Sequence, residues 1–230
     1  INTQEVVALS AGTTMLKRYI EFICLREVQI PQFLLDTLNR LEMALAKPLT
    51  SEGQHIEALL NFLSPDFQLP VAPTLEKSEY VHRLYKLSLN KLLKQQETEF
   101  DIQAIKLVGA YLAGLSNTTI SKQYWGLVHV AFNQIDQLLL NDPRLRTLIS
   151  IERNMAHYFN APERFNATMS DLANILSLCI SQEDNLAQQI RSQLNIAEDH
   201  LTDTQLQVFS RHLYGPDFDT IHTISELVTT

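Results

Sequence analysis

Residues 13–48 read TTMLKRYIEFICLREVQIPQFLLDTLNRLEMALAKP, and their periodicity decides the fold class. Leu34, Leu38, Leu41 and Leu45 are spaced 4, 3 and 4 apart. That spacing lines one face of a helix rather than alternating across a strand. Pro31 suits the first turn of this helix, where a missing N–H costs nothing. The preceding segment, 6–27, carries its own stripe through Met15, Tyr19, Phe22 and Ile23. Two such helices joined by a few residues predict an antiparallel hairpin, with both stripes expected in the core.

Working outward, the chain reads as helix after helix. Six glycines in 230 residues, with no Asn-Gly or Asp-Gly pair, leave little room for hairpins. A short helix is expected over 50–63, capped by Thr50 or Ser51, and Pro65, Pro70 and Pro73 then break the pattern. Further helices are expected at 74–96, at 98–116 with Thr98 and Asp101 in capping-box spacing, and at 119–140. The last of these carries Trp125, Val128, Phe132, Ile135 and Leu139 on one stripe. Asp142 and Pro143 start another, to Asn160, with Leu145, Leu148, Ile151 and Met155 along one side. Shorter helices follow at 168–180, 183–194, 204–213 and 217–228, the last with Asp217 and Asp219 before its start, where acids suit the helix dipole. The expected architecture is all-α: antiparallel helical bundles of nine to eleven helices, with residues 1–63 ending a first module, 64–77 as a linker and 78–230 as a second bundle. No repeat of fixed period is visible.

Composition sets bounds on function. With 45% hydrophobic and 19% charged residues the chain can bury a substantial core. A formal net charge of -8 disfavours a nucleic-acid or anionic-membrane surface, and Lys86, Lys91 and Lys94 form the one modest basic run, expected on a solvated helix face. The apolar run from Leu107 to Leu115 is far shorter than the roughly 20 residues that cross a bilayer. Cys24 and Cys179 lie far apart in helical patterns and read as apolar residues in a reducing, cytoplasmic setting. The chain opens on Ile1 directly in a helical pattern, without a signal-peptide pattern, as expected for a piece that starts part-way through a module.

Several segments, in order, carry a family likeness. RYIEF (18–22), IPQFLLDTLNRL (30–41), KPL (47–49) and SE (51–52) are followed by LYKLSLNKLL (84–93), a long helix ending AGLSN (113–117), and SKQYWGLVHVAFNQIDQLL (121–139). Their order over residues 5 to 160 resembles the N-terminal half of the FimL-type scaffold proteins and the related N-terminal region of ChpA-type chemosensory pilus kinases, the FimL type more closely. The resemblance implies a histidine-phosphotransfer-like helical fold and a non-catalytic scaffold in the chemosensory system of type IV pili and twitching motility. It implies two protein partners, a CheY-like response regulator and the polar hub protein FimV, a place at the cell pole, and a downstream link to cyclic AMP production.

Phosphotransfer domains of that kind present a helix-borne His with a Lys three residues later and a Gly four later. His55 is followed at those positions by Ala58 and Leu59, His82 by Tyr85 and Lys86, His129 by Phe132 and Asn133, and His157 by Asn160 and Ala161. His200 is followed by Asp203 and Thr204, His212 by Gly215 and Pro216, and His222 by Ser225 and Glu226. No histidine has the pair, so no phosphotransfer is expected; His129 is the least unsuitable by its place beside Trp125 and Phe132, and is expected to be a satisfied, half-buried core residue. A phosphorelay domain remains the alternative, and a small-molecule pocket around Tyr124, Trp125, His129 and Tyr158 a second.

The residue patterns give no catalytic, cofactor or metal site: no His-Glu-x-x-His is present, and Ser10-Ala11-Gly12 lacks the Lys-Ser/Thr end of a phosphate loop. Ala110 and Gly114, four apart, are expected to permit close helix approach. A homodimer through an exposed apolar face stays open.

Overall fold

The computed structural model describes residues 3–27, 29–61, 67–73, 80–196 and 200–214, without the side chains of His212 and Tyr214. Among these residues there are ten α-helices and no strand: α1 (Thr3–Arg26), α2 (Leu35–Ala44), α3 (Gln54–Leu60), α4 (Val81–Leu93), α5 (Glu99–Leu115), α6 (Thr119–Asn133), α7 (Asp142–Asn160), α8 (Met169–Ile180), α9 (Asn185–Gln193) and α10 (Asp203–Tyr214). The all-helical expectation therefore holds. The expected helix at 217–228, with Asp217, Asp219 and His222, lies outside the described residues, as do residues 64–66 and 74–77 of the expected linker at 64–77.

Internal contacts group the chain into two units, one of residues 1–48 with 204–230, the other of residues 49–203. Residues 49–63, expected in the first module, group with the larger unit, where α3 packs on α8, and the residues from 204 on, expected in the second bundle, group with the smaller. Gly53, the residue before α3, lies so close to α8 that a Cβ there would stand 2.5 Å from the carbonyl carbon of Ala173. Its N–H donates to Asn174 Oδ1 at 3.1 Å. The helix start expected from Thr50 or Ser51 is thus made by a tertiary contact instead of a local side-chain cap.

In the smaller unit α1 buries Met15, Tyr19 and Phe22, as its stripe predicts. Phe22 meets Phe33 and Phe209 edge-on, at ring-centroid separations of 6.0 and 5.8 Å. Here α2 departs from expectation. A 3-10 turn, Pro31–Leu34, precedes it and takes Phe33 into the core. The buried position of α2 itself is Asn39, while Leu38 and Leu45 stand 42% and 58% exposed. The leucine stripe is on the helix, but only its Leu41 edge is turned toward α1, where it meets Gly12.

The larger unit is built on α4 to α8. Thr98 and Asp101 form the expected capping box of α5. Thr118–Ser121 and Thr168–Asp171 form two more, on α6 and α8. Asp101 accepts from Thr98 Oγ1 at 2.6 Å, Thr98 N at 3.0 Å and Lys91 Nζ at 3.1 Å. These bonds, those of Thr98 foremost, lower its pKa to about 2. Trp125, Val128, Phe132 and Ile135 are buried as the periodicity predicts. The helix ends at Asn133, however, and the turns that follow bring Leu138 rather than Leu139 into the core. Close approach of α5 and α6 occurs at Gly109, where a Cβ would stand 3.1 Å from Phe132 Cβ and 3.2 Å from His129 Cα. Gly114, which the sequence assigned to that role, faces the Pro73 carbonyl instead.

Four helix ends close through a left-handed residue that is not glycine: Glu27, Ala46, Gln95 and Asn195, at φ of 56°, 51°, 55° and 52°. After three of them a backbone N–H reaches back to seal the last turn, Lys47 to Glu42 O, Gln96 to Lys91 O and Ile196 to Arg191 O, at 2.8, 2.9 and 3.0 Å. This is how a chain with so little glycine ends its helices.

Candidate functional site

The residues proposed for a small-molecule pocket are brought together, but as packed core. Tyr124, Trp125, His129 and Tyr158 are 1%, 0%, 7% and 3% exposed. Phe165 closes over them, stacked on Trp125 at 5.3 Å and edge-on to Tyr158 at 5.4 Å. Tyr124 OH accepts from Asn154 Nδ2 at 2.7 Å. No room remains for a ligand between these rings, and the pocket reading is withdrawn on that packing.

His129 is more deeply set than the half-buried residue expected. Its Nε2 pairs weakly with Asn133 Nδ2 at 3.4 Å, while Nδ1 has no hydrogen-bond partner among the described residues. Burial lowers its pKa, so the neutral imidazole is favoured. This histidine is neither presented to solvent nor fully satisfied. His82 on α4 is half-buried, with Nε2 2.7 Å from Glu152 Oε1 on α7 and the Phe159 ring beside it. An acid thus occupies the nitrogen that a phosphoryl group would need. His55 and His157 are exposed and lie on separate helices. No group of three or more His, Cys, Asp or Glu side chains is placed to hold a metal among the described residues. No described helix is long and apolar enough to cross a membrane.

A buried ionic node escaped the sequence reading altogether. Arg144, in the first turn of α7, is 2% exposed. Its Nε and Nη2 donate to the two carboxylate oxygens of Glu52, both at 2.9 Å, and its Nη1 to Leu139 O at 3.0 Å and to Asp203 Oδ2 at 2.5 Å. Burial opposes the guanidinium charge, but the two carboxylates more than offset it and hold the pKa well above its ordinary range. His200 lies in the same field. Burial, with the Arg191 cation and against the opposing pull of Glu52, pushes its pKa down to about 4. Such a node, with the Arg144 guanidinium held by both carboxylates, ties segments together.

The smaller unit presents a run of apolar surface to solvent. Val6, Leu9, Leu16 and Ile20, with Thr13 and Cys24 between and after them, are spaced 3, 4, 3, 4 and 4 along α1. They form a second stripe adjoining the buried one. Val6, Leu9, Leu16 and Ile20 are 52%, 63%, 50% and 52% exposed. A Cβ on Gly12 would meet Leu41 Cδ1 at 3.3 Å, so the seam between α1 and α2 lies next to this stripe. The exposed Leu38 and Leu45 flank Leu41 on the same face of α2. The hairpin therefore offers a two-helix apolar face of the kind that receives a further helix. The sequence reading took only the stripe through Met15, Tyr19, Phe22 and Ile23 and missed this one.

These features define a class: an all-helical bundle protein with a closed core and an exposed apolar helix-hairpin face. The chain is similar to Scaffold protein FimL of Pseudomonas aeruginosa, at 24% identity over 236 aligned residues that take in 97% of this chain. It spans about two fifths of that relative, 41% of its length. No family model matches the chain, and no solved structure matches it.

Proposed function

We propose that this chain is part of a non-catalytic protein-interaction scaffold of the FimL type, acting in the chemosensory system that regulates type IV pili and twitching motility. The similarity to a scaffold protein along nearly the whole chain supports a protein-binding role. The observation that carries it is the exposed stripe of α1, since apolar patches of this kind mark protein interfaces. In this reading the protein works in the cytoplasm at the cell pole and catalyses nothing. It binds a CheY-like response regulator and the polar hub protein FimV, and none of its described histidines takes a phosphoryl group.

The test is affinity capture of the full-length protein from its own host, wild type against a Leu16→Asp, Ile20→Asp variant, with a bait-free control and mass spectrometry. Wild type is expected to enrich the hub or the regulator, and the variant to lose at least one of them while keeping its helical circular dichroism. Enrichment of neither by wild type would overturn the pilus assignment.

A further inference from the structure

The chain passes between its two units twice, at residues 48 to 49 and again at 203 to 204. The smaller unit is therefore built from two pieces that enter it separately. The first piece supplies Phe22 and Phe33 to its core, and the second supplies Leu206 and Leu213 of α10. Phe22 and Phe209, one from each piece, meet edge-on at 5.8 Å. Returning a second piece after so long an excursion carries a loop-closure cost, which falls if the larger unit fixes both passages in place. One guanidinium reaches both. Glu52 lies just after the first passage, and Asp203, the first residue of α10, is the last before the second. Arg144 donates to Glu52 through Nε and Nη2, both at 2.9 Å, and to Asp203 Oδ2 through Nη1 at 2.5 Å. Its own position is fixed at the start of α7, where its N–H donates to the Asn141 cap at 3.1 Å. Asp203 is seated further by its N–H, which donates to Ser181 O at 2.8 Å, and by its Oδ2, which accepts from Leu139 N–H at 2.7 Å. Every one of these groups belongs to the larger unit.

We propose that Arg144 is a clasp on the two passages, through which the folded larger unit governs the closure of the smaller one: when either carboxylate is released, α10 loses its hold on the α1–α2 hairpin. The chemistry suits the role. A guanidinium presents its donors in a fixed planar fork, so one edge grips Glu52 with two parallel bonds while the remaining nitrogen takes Asp203. Two carboxylates brought this near each other repel unless a cation stands between them, and Arg144 is that cation. With Arg144 only 2% exposed, water does not compete for the fork, and the pairing fixes a geometry more than it adds stability. The inference is independent of the partners proposed above.

The experiment is amide hydrogen exchange, read by mass spectrometry on the full chain. Wild type is compared with Glu52→Gln, which keeps the side chain's size and removes its charge, and with Arg144→Lys, which keeps the charge and removes the fork. The control is Met155→Ala, which cuts packing in the core of the same unit, on the same helix, and leaves the clasp intact. In both clasp variants, peptides from α10 and from α1 around Phe22 are expected to exchange at least about tenfold faster than in wild type. Met155→Ala is expected to speed exchange in α5, α6 and α7 while α10 and α1 keep their wild-type rates. Unchanged exchange of α10 and α1 in Glu52→Gln would overturn the inference. So would equal acceleration of α10 by Met155→Ala, since Arg144 would then be one stabilising residue among many. Acceleration of α10 by Asp203→Asn without any by Glu52→Gln would reduce the node to a local helix start and overturn it as well.

Discussion

Replacing Arg144 by Met isolates what the buried ionic node contributes. The substitution keeps the aliphatic volume and removes four donated hydrogen bonds, two to Glu52 and one each to Leu139 O and Asp203. Asp203, whose side chain is 3% exposed, keeps the Leu139 N–H at 2.7 Å but loses its cation, and its Oδ1 already has no partner among the described residues. Glu52, with a side chain 16% exposed, recovers some hydration. Breaking a buried pair from one side costs about 3–5 kcal/mol. That is a large share of the roughly 5–15 kcal/mol that holds a domain together. With an m-value of about 2 kcal/mol/M, the urea midpoint falls by about 2 M. The single tryptophan, Trp125, is fully buried in the same unit, so its fluorescence follows this unfolding directly. A loss below about 1 kcal/mol at pH 7 would refute this account of the node.

Two further outcomes are expected. His200, with its folded pKa near 4 against an ordinary 6.5, binds protons less readily folded than unfolded, so its contribution is complete above pH 6.5 and drains away down to pH 4. Discounted for partial exposure the loss is on the order of 2 kcal/mol, and His200→Gln should flatten that part of a stability-against-pH curve measured by denaturant titration. Gln95 closes α4 at φ 55°, so Gln95→Gly removes a steric penalty and should raise stability by about 1 kcal/mol, read as an upward shift of the thermal midpoint.

Helix positions were legible because they are written locally. The capping box at Thr98 and Asp101 and the Trp125–Ile135 stripe each specify themselves within a few residues, and the α7 start read at Asp142 and Pro143 lies one residue after its actual cap, Asn141. Two kinds of feature were not. Arg144 finds Glu52 across 92 residues and Asp203 across 59, and no local pattern announces such a meeting. Exposure was the other. Leu38 looked as buried as Leu41, because periodicity gives a direction and not the presence of a neighbour. The candidate site suffered for the same reason. Trp125 and His129 were read as a possible pocket wall from type and spacing, and only Phe165, far along the chain, shows the space to be filled. Gly126 likewise has no evident purpose until Leu69 is seen against it.

The chain has two cysteines of opposite character: Cys179 is buried and Cys24 exposed. Burial and the nearby Asp184 push the Cys179 thiol far up, so it stays protonated and inert to alkylation while the protein is folded. Cys24 ends the exposed α1 stripe and remains open to reagent. This chain therefore carries one addressable thiol at the rim of its apolar face. A maleimide dye attached there places a reporter on that face with no engineered residue, and a shift in its emission on adding a binding protein would time the docking event.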